Sequence, residues 1–251
     1  MTENNLKLKI DAHVIRQLGA ELITSPLVAI TELIKNSHDA DASWCNLEID
    51  PTFIEQIEVD PNLYPNDKTL IKRDDKVFKE FLGKITVIDN GCGMGRETID
   101  KSWLTVSYSD KRNKKKEGEK TSEYKRNYTG DKGLGRLGSM QVASICKITS
   151  SKFASEQSIQ VSINWDQLVE GITIDQIQID ETSLKKTNPK EKGTRIELIG
   201  LHDHNFWQSD LTAFKYQLTT NVSPFGYFSK RKDAFKLYIK INGIEQSSEE
   251  L

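Results

Sequence analysis

The chain has few cysteines and histidines, and none of them forms a pattern typical of a disulfide framework or a metal centre. Cys45, Cys92 and Cys146 are an odd number and widely spaced, which favours free thiols in a reducing compartment. His202 and His204 have no further ligand near them in the sequence. We therefore assign neither a disulfide nor a transition metal.

Long apolar runs and an excess of charge are also lacking. No run approaches the ~20 apolar residues of a membrane span, and the N-terminus MTENNLKLKI has no signal-peptide core, so we expect a cytoplasmic protein with no membrane partner. With 35 basic and 37 acidic residues the net charge is −2, which gives no support for nucleic-acid binding. Only a local patch would allow it, and the lysine-rich residues 111–116 are more simply interpreted as a solvated loop.

The order of the predicted elements favours an α+β fold. A helix is predicted over residues 25–42, because Ser25 can cap it and Pro26 suits its first turn. A polar stretch with three prolines then carries a short predicted helix near residues 77–82. Residues 111–126 hold eight basic and three acidic residues and predict a mobile loop. Further helices are predicted at residues 99–106, 140–145 and 211–221, and strands at 45–49, 84–89, 146–151, 159–165, 172–179, 194–199 and 235–241.

These elements predict a two-layer α/β sandwich, a mostly antiparallel sheet with helices over one face. The chain is long enough to bury a core, either as one large domain or as two small ones.

The first predicted helix places three polar side chains in one column. At about 100° per residue, Glu32, Asn36 and Asp39 share a face. One interpretation is a solvated outer face. The other is chemical: Asn36 would coordinate Mg²⁺ through its carbonyl oxygen, and Glu32, one turn away, would act as general base on a water molecule. The opposite face is apolar and holds Leu27, Ile30 and Ile34.

A glycine-rich turn follows the apolar strand at residues 84–89. The run is Asp89-Asn90-Gly91-Cys92-Gly93-Met94. A carboxylate at the end of a strand can accept a hydrogen bond from an exocyclic amine, and glycines let the backbone approach a ligand closely. A plain turn explains the same residues equally well, because Asp, Asn and Gly favour turns for local reasons.

A second glycine cluster spans residues 130–138. Its glycines, Gly130, Gly133, Gly135 and Gly138, precede a predicted helix, where backbone N–H groups can cradle phosphates. The dinucleotide-binding interpretation fails, because no βαβ unit begins here, and the phosphate loop GxxxxGK[ST] is absent.

Taken together, these motifs resemble the ATP site of the GHKL superfamily, which includes gyrase, the ninety-kilodalton heat-shock chaperone, histidine kinases and MutL. An E-x-x-x-N-x-x-D-A helix, a strand ending in D-x-G-x-G-M, a glycine-rich cluster and a late G-T strand occur in one order over nearly the whole chain. The stretch from Gly19 through Ile23 to the Glu32 helix is particularly similar to MutL, and the resemblance extends to microrchidia-type ATPases. It implies the Bergerat fold.

The resemblance also implies roles for individual residues. Glu32 would be the general base and Asn36 the Mg²⁺ ligand, while Asp89 would hold the adenine amine. Thr194 would support the adenine through water, and the glycine cluster would form the hinge of an ATP lid. The expected nucleotide-binding residues are Asn36, Asp39, Ala40, Asp89, Gly91, Gly93, Met94, Gly130, Lys132, Gly133, Leu134, Gly135 and Thr194.

Lys132 and Arg136 have no family counterpart that we can assign, and we favour a surface or structural ion pair over a phosphate contact for both.

Three functions use the same pocket. The first is an ATP-hydrolysing switch that closes its lid and forms a homodimer, the second a protein kinase of the histidine-kinase or anti-sigma type, and the third an ATP sensor without turnover. Glu32 favours the first, because hydrolysis requires a carboxylate near water. We expect one domain over residues 1–251, with a lid at residues 107–138. We also expect it to be the N-terminal part of a longer protein whose transducer domain supplies a lysine to the γ-phosphate.

Overall fold

One large twisted sheet organises the protein in a computed structural model, which describes residues 9–23, 25–105, 110–130, 135–209, 211–222 and 234–246. In these residues nine strands form the order β6-β5-β4-β7-β3-β1-β8-β9, with β2 on the outer part of β3. Among the strand pairs of the described residues, only β1 and β8 run parallel. The strands are β1 (Trp44–Glu58), β2 (Ile71–Arg73), β3 (Lys76–Asp89), β4 (Ala143–Ser151), β5 (Gln157–Asn164), β6 (Ile179–Lys185), β7 (Gly193–Leu201), β8 (Lys236–Ile241) and β9 (Ile244–Gln246).

Helices cover one face of this sheet. The longest, α2, buries Ile30, Leu33 and Ile34 against strand residues such as Leu47 and Val87. This confirms the predicted α+β sandwich. The helices of the described residues are α1 (His13–Leu22), α2 (Pro26–Asp39), α3 (Arg96–Ile99), α4 (Asp110–Lys116), α5 (Gly135–Val142), α6 (His204–Gln208) and α7 (Thr212–Val222).

A small second core lies on the other face of the sheet. Ile145 and Ile199 are paired across β4 and β7, and they alternate with Cys146 and Leu198 of the main core. Because successive side chains of a strand point to opposite faces, Ile145 and Ile199 face away from the helices. Phe81, from the outer part of β3, belongs to this second cluster.

Two predicted elements are wrong. Residues 77–82, predicted as a helix, belong to β3, because their backbone pairs with residues 54–58 of β1. Residues 172–179, predicted as a strand, contain the 3₁₀ turn Ile174–Gln176, which Thr173 and Gln176 close with reciprocal hydrogen bonds. Tertiary pairing and a local cap therefore override the apolar pattern.

Other predictions hold with shifted bounds. The helix predicted at residues 140–145 is α5, which ends at Val142 because β4 begins at Ala143. The helix predicted at 99–106 divides into α3 and the π-helical turn Asp100–Leu104. Neither α1 nor α6 was predicted from the sequence.

Within the described residues no single helix is long and apolar enough to cross a membrane, and only the bent pair α1 and α2, counted together, meets the length and composition test.

Candidate nucleotide-binding site

Helix α2 carries the polar column that sequence analysis singled out. The side chain of Ser25 accepts a hydrogen bond from the Val28 N–H at 3.4 Å, and Pro26 opens the helix as predicted. Glu32 is half-buried and accepts a 2.7 Å hydrogen bond from Lys35. The side chain of Asp39 is fully buried. A solvated outer face is therefore not the right interpretation of this column.

Asp39 fastens the second half of the predicted lid to α2. Its Oδ1 accepts hydrogen bonds from the Thr129 N–H at 2.9 Å and hydroxyl at 2.8 Å, and its Oδ2 accepts the Gly130 N–H at 2.9 Å. Burial opposes ionisation of this carboxyl. Hydrogen bonds from the His38 side chain and the two backbone N–H groups, together with the charge of Lys111, outweigh that cost and hold the pKa of Asp39 well below its usual value. Asp39 is therefore ionised, and its carboxylate positions the turn at Gly130.

A cation lies at the predicted magnesium ligand. The Lys111 ammonium donates to Oδ1 of Asn36 at 2.9 Å and lies 3.1 Å from Oδ2 of Asp39. Both acceptors are hard oxygen atoms, which are the ligands that Mg²⁺ prefers. The lysine therefore acts as a stand-in ion, and the residues present fit a cation at this position.

Asp89 ends β3 in a buried position beside the C-terminal half of α2. Its Oδ2 accepts the Ser37 hydroxyl at 2.9 Å, and its Oδ1 accepts the Gly91 N–H at 2.8 Å. Burial raises the pKa of Asp89. The hydrogen bonds from Ser37 and Gly91 lower it, but the effect of burial is larger. Since each carboxylate oxygen can accept two hydrogen bonds, the group keeps capacity for one more donor, such as an exocyclic amine.

The turn after Asp89 is held tightly between α2 and β4. Gly93 has a φ of +66°, and a Cβ added to it would lie 1.9 Å from the carbonyl oxygen of Ser151. The Cys92 N–H donates to the carbonyl oxygen of Ala40, the C-cap of α2, at 2.8 Å. A Cβ on Gly91 would lie 2.7 Å from that oxygen. These contacts favour a built site over a plain turn, because a free turn does not require such close approach.

Thr194 lies directly across from Asp89 in the pairing of β3 with β7. Its hydroxyl is 2.8 Å from that of Ser150, which accepts the Met94 N–H at 2.8 Å. The buried Ser150 thus links Thr194 and Met94 beside Asp89. The structure brings together the predicted residues of the adenine end.

Residues 111–126, predicted as a mobile loop, contain a helix and are hydrogen-bonded to the end of α2 and the residues after it. The segment begins in α4, and its second half binds the C-terminal turn of α2. Asp41, with a φ of +58°, accepts the Glu123 N–H at 2.7 Å and the Tyr124 N–H at 3.3 Å. Arg126 donates to the carbonyl oxygen of Ala42 at 2.6 Å. Backbone groups and a guanidinium therefore supply the contacts that apolar side chains do not.

The second glycine cluster is described in part. Gly130 binds Asp39, and Gly135 begins α5, as the predicted helix required. Gly138 packs against Ala29, to which an added Cβ would come within 3.0 Å, so α5 lies close to α2. The predicted residues Lys132, Gly133 and Leu134 lie outside the described residues.

Five site residues were not predicted: Ser37, Asp41, Lys111, Arg126 and Ser150. Ser37 had a signal, because it lies within the same motif as Asn36 and Asp39. Nothing in the sequence distinguishes the others from similar residues beside them, and only the tertiary contacts single them out.

Comparison with known proteins decides the family. Residues 23–194 match the family described as histidine kinase-, DNA gyrase B-, and HSP90-like ATPase. The chain belongs to this family. The match covers α2, the Asp89 turn and Thr194, and membership implies that the site binds ATP, which family members usually bind with Mg²⁺.

A solved structure titled as the N-terminal domain of a DNA repair protein has the same fold as this family member. It is 17% identical, with a TM-score of 0.50 over 93% of this chain and 54% of that one. The chain thus spans about half the length of that structure. No curated protein matches the sequence significantly.

Proposed function

We propose that the chain is an ATP hydrolase of the switch type, which binds Mg-ATP, closes its lid and hydrolyses the nucleotide slowly. The observation that supports this most is the contact of the Lys111 ammonium with Oδ1 of Asn36, with the carboxylate of Glu32 one helical turn away. A metal ligand and a carboxylate on one face of a helix are what attack by water on a phosphate requires.

The residues of the candidate site have separate parts in the proposed reaction. Asp89 accepts the adenine amine, and the Ser37 hydroxyl holds that carboxylate in place. Glu32 takes the proton from the attacking water, and Lys35 keeps it oriented. Asn36 and oxygens of the phosphates would hold Mg²⁺, which stabilises the charge that develops on the phosphoryl group. Asp39 holds the turn at Gly130 near the phosphates.

We also propose that ATP binding drives homodimerisation, that a downstream transducer domain completes the site, and that the protein works in the cytoplasm. The similarity to MutL and microrchidia-type ATPases supports the first two points. Sedimentation with and without a non-hydrolysable ATP analogue tests dimerisation directly.

Calorimetry and phosphate release test the central proposal. We expect one Mg-ATP per chain, preference for ATP over GTP, and slow release of phosphate from ATP in the absence of any protein substrate. Tight ATP binding without phosphate release would favour a sensor. Transfer of the γ-phosphate to a protein side chain would favour a kinase.

A further inference from the structure

Lys111 connects the first helix of the lid to two oxygen atoms of α2. Its ammonium lies 2.9 Å from Oδ1 of Asn36 and 3.1 Å from Oδ2 of Asp39. Most of the Lys111 side chain is buried, with 29% exposed, and the Asp39 side chain is not exposed at all. This is a charge-assisted contact at partial burial, which is stronger than a surface ion pair.

One of these two oxygens, Oδ1 of Asn36, is also the proposed ligand of the metal ion. A magnesium ion binds oxygen at about 2.0–2.1 Å, whereas an ammonium sits about 2.7–2.9 Å from its acceptor. A divalent ion on Asn36 would therefore lie within a few ångströms of the Lys111 ammonium, where like charges repel strongly. The two cations cannot share this position.

We propose that Lys111 occupies the metal position in the nucleotide-free protein and leaves it when the metal–nucleotide complex binds. This lysine latch rests on the proposed function, since it requires a metal ion at Asn36. Binding of Mg-ATP then frees α4 from α2, so that α4 can close over the phosphates. The lid therefore responds to the metal–nucleotide complex rather than to nucleotide alone.

The contacts of the second half of the lid confine this movement. Asp39 holds Thr129 and Gly130, and Asp41 holds the turn at residues 122–124, and none of these hydrogen bonds uses Asn36. Arg126 also donates to the carbonyl oxygen of His38 in the last turn of α2 and to that of Ala42 just after the helix. The moving part is therefore residues 110–120, and residues 121–130 stay fixed as a clasp.

Hydrogen exchange of the full chain without nucleotide tests the latch contact. In Lys111→Met we expect amides of residues 112–120 to exchange about tenfold faster, the factor that corresponds to about 1.4 kcal/mol, a typical worth of one hydrogen bond to a charged group. Exchange of residues 121–126 should not change, because Asp41 and Arg126 fix this segment without using Asp39. The matched control is Lys116→Met, an exposed lysine of the same helix, which should behave like the wild type. Equal exchange of residues 112–120 in wild type and Lys111→Met would overturn the proposal.

Competition with the metal is tested by calorimetry with the analogue AMPPNP, in Mg²⁺ and in EDTA. The factor by which Mg²⁺ strengthens AMPPNP binding should rise about tenfold in Lys111→Met, because no ammonium then has to be displaced, and should stay at the wild-type value in Lys116→Met. The same factor in wild type and Lys111→Met would overturn the latch. Absence of AMPPNP binding in the wild type would instead overturn the proposed function, and the exchange experiment would still decide whether Lys111 holds α4.

Discussion

The hydroxyl of Ser37 donates a 2.9 Å hydrogen bond to Oδ2 of Asp89, and so joins the last turn of α2 to the end of β3. Both side chains are buried. Because a buried carboxylate is costly without partners, this bond fixes the orientation of Asp89 and helps to keep it an acceptor.

Asp89→Ala should weaken ATP binding by roughly 1–3 kcal/mol, because the adenine amine is left without its acceptor in a buried site. Ser37→Ala keeps the carboxylate but loosens it, so its effect should be smaller. Calorimetry with ATP measures both. The exposed carboxylate of Asp180 on β6 is the control, and Asp180→Ala should leave the affinity unchanged. Equal affinity of wild type and Asp89→Ala would remove Asp89 from the adenine site.

Glu32→Ala should retain ATP but lose hydrolysis by about 10²–10⁴-fold, the usual cost of losing a general base. Asn36→Ala should also lose the Mg²⁺-dependent part of binding, because it removes the proposed metal ligand. Phosphate release and calorimetry separate the two effects. Lys35→Ala removes the ion pair that orients Glu32 but keeps the carboxylate, so its effect on turnover should be smaller. Normal turnover in Glu32→Ala would show that the carboxylate is not the base.

Gly93→Ala should destabilise the protein far more than Gly118→Ala. Both glycines have a positive φ, +66° and +69°, so both substitutions introduce backbone strain of about 1–3 kcal/mol. Only at Gly93 does the new Cβ also meet a backbone carbonyl oxygen, that of Ser151, whereas nothing lies within 4 Å at Gly118. Urea unfolding compares the two variants, and failure of Gly93→Ala alone to give folded protein supports the same conclusion. Equal stabilities would mean that the turn after Asp89 is not tightly packed.

Iodoacetamide should modify Cys92 in the native protein and leave the two other cysteines intact. Cys45 and Cys146 are fully buried, and burial raises the pKa of Cys146 to about 12. Partial desolvation, and then the charges of Asp89 and Asp41, also raise the pKa of Cys92.

Only the thiolate reacts, so Cys92 should be alkylated more slowly than free cysteine at pH 8, with a rate that rises about tenfold per pH unit below its pKa. Mass spectrometry against pH measures this. Rapid labelling of Cys92 at pH 7, or labelling of Cys146 before Cys92, would contradict the described environment.

Trypsin should cut the lid in its first half and spare its second half. Sites at residues 111–120 are on α4 and the exposed turn after it, whereas Arg126 is anchored to the C-terminus of α2. Without nucleotide we expect cleavage at residues 111–120, and clear slowing by a non-hydrolysable ATP analogue but less by ADP. Asp41→Asn weakens the clasp and should expose the sites after Lys125 and Arg126. Equal rates in all three nucleotide states would leave the switch without a moving part.

The sequence by itself determined the elements whose signals are local. The cap at Ser25, the apolar face of α2 and the order of the motifs were enough to predict the sandwich and the family, because caps, periodicity and glycine spacing act over a few residues. They also predicted Asn36 and Asp89, whose neighbours in the sequence carry the same motif.

Only the tertiary structure decided the rest. Residues 78–82 pair with residues 54–58 of β1, which lie twenty or more positions earlier, and no local pattern specifies that pairing. Lys111 looks like any other lysine of a basic run, and its role depends on lying beside Asn36, 75 residues earlier in the chain. The ordered second half of the lid depends likewise on Asp41 and on the carbonyl groups at the end of α2. Such long-range contacts between polar groups leave no periodic trace in the sequence, because their partners are set by how the helix and the lid pack together.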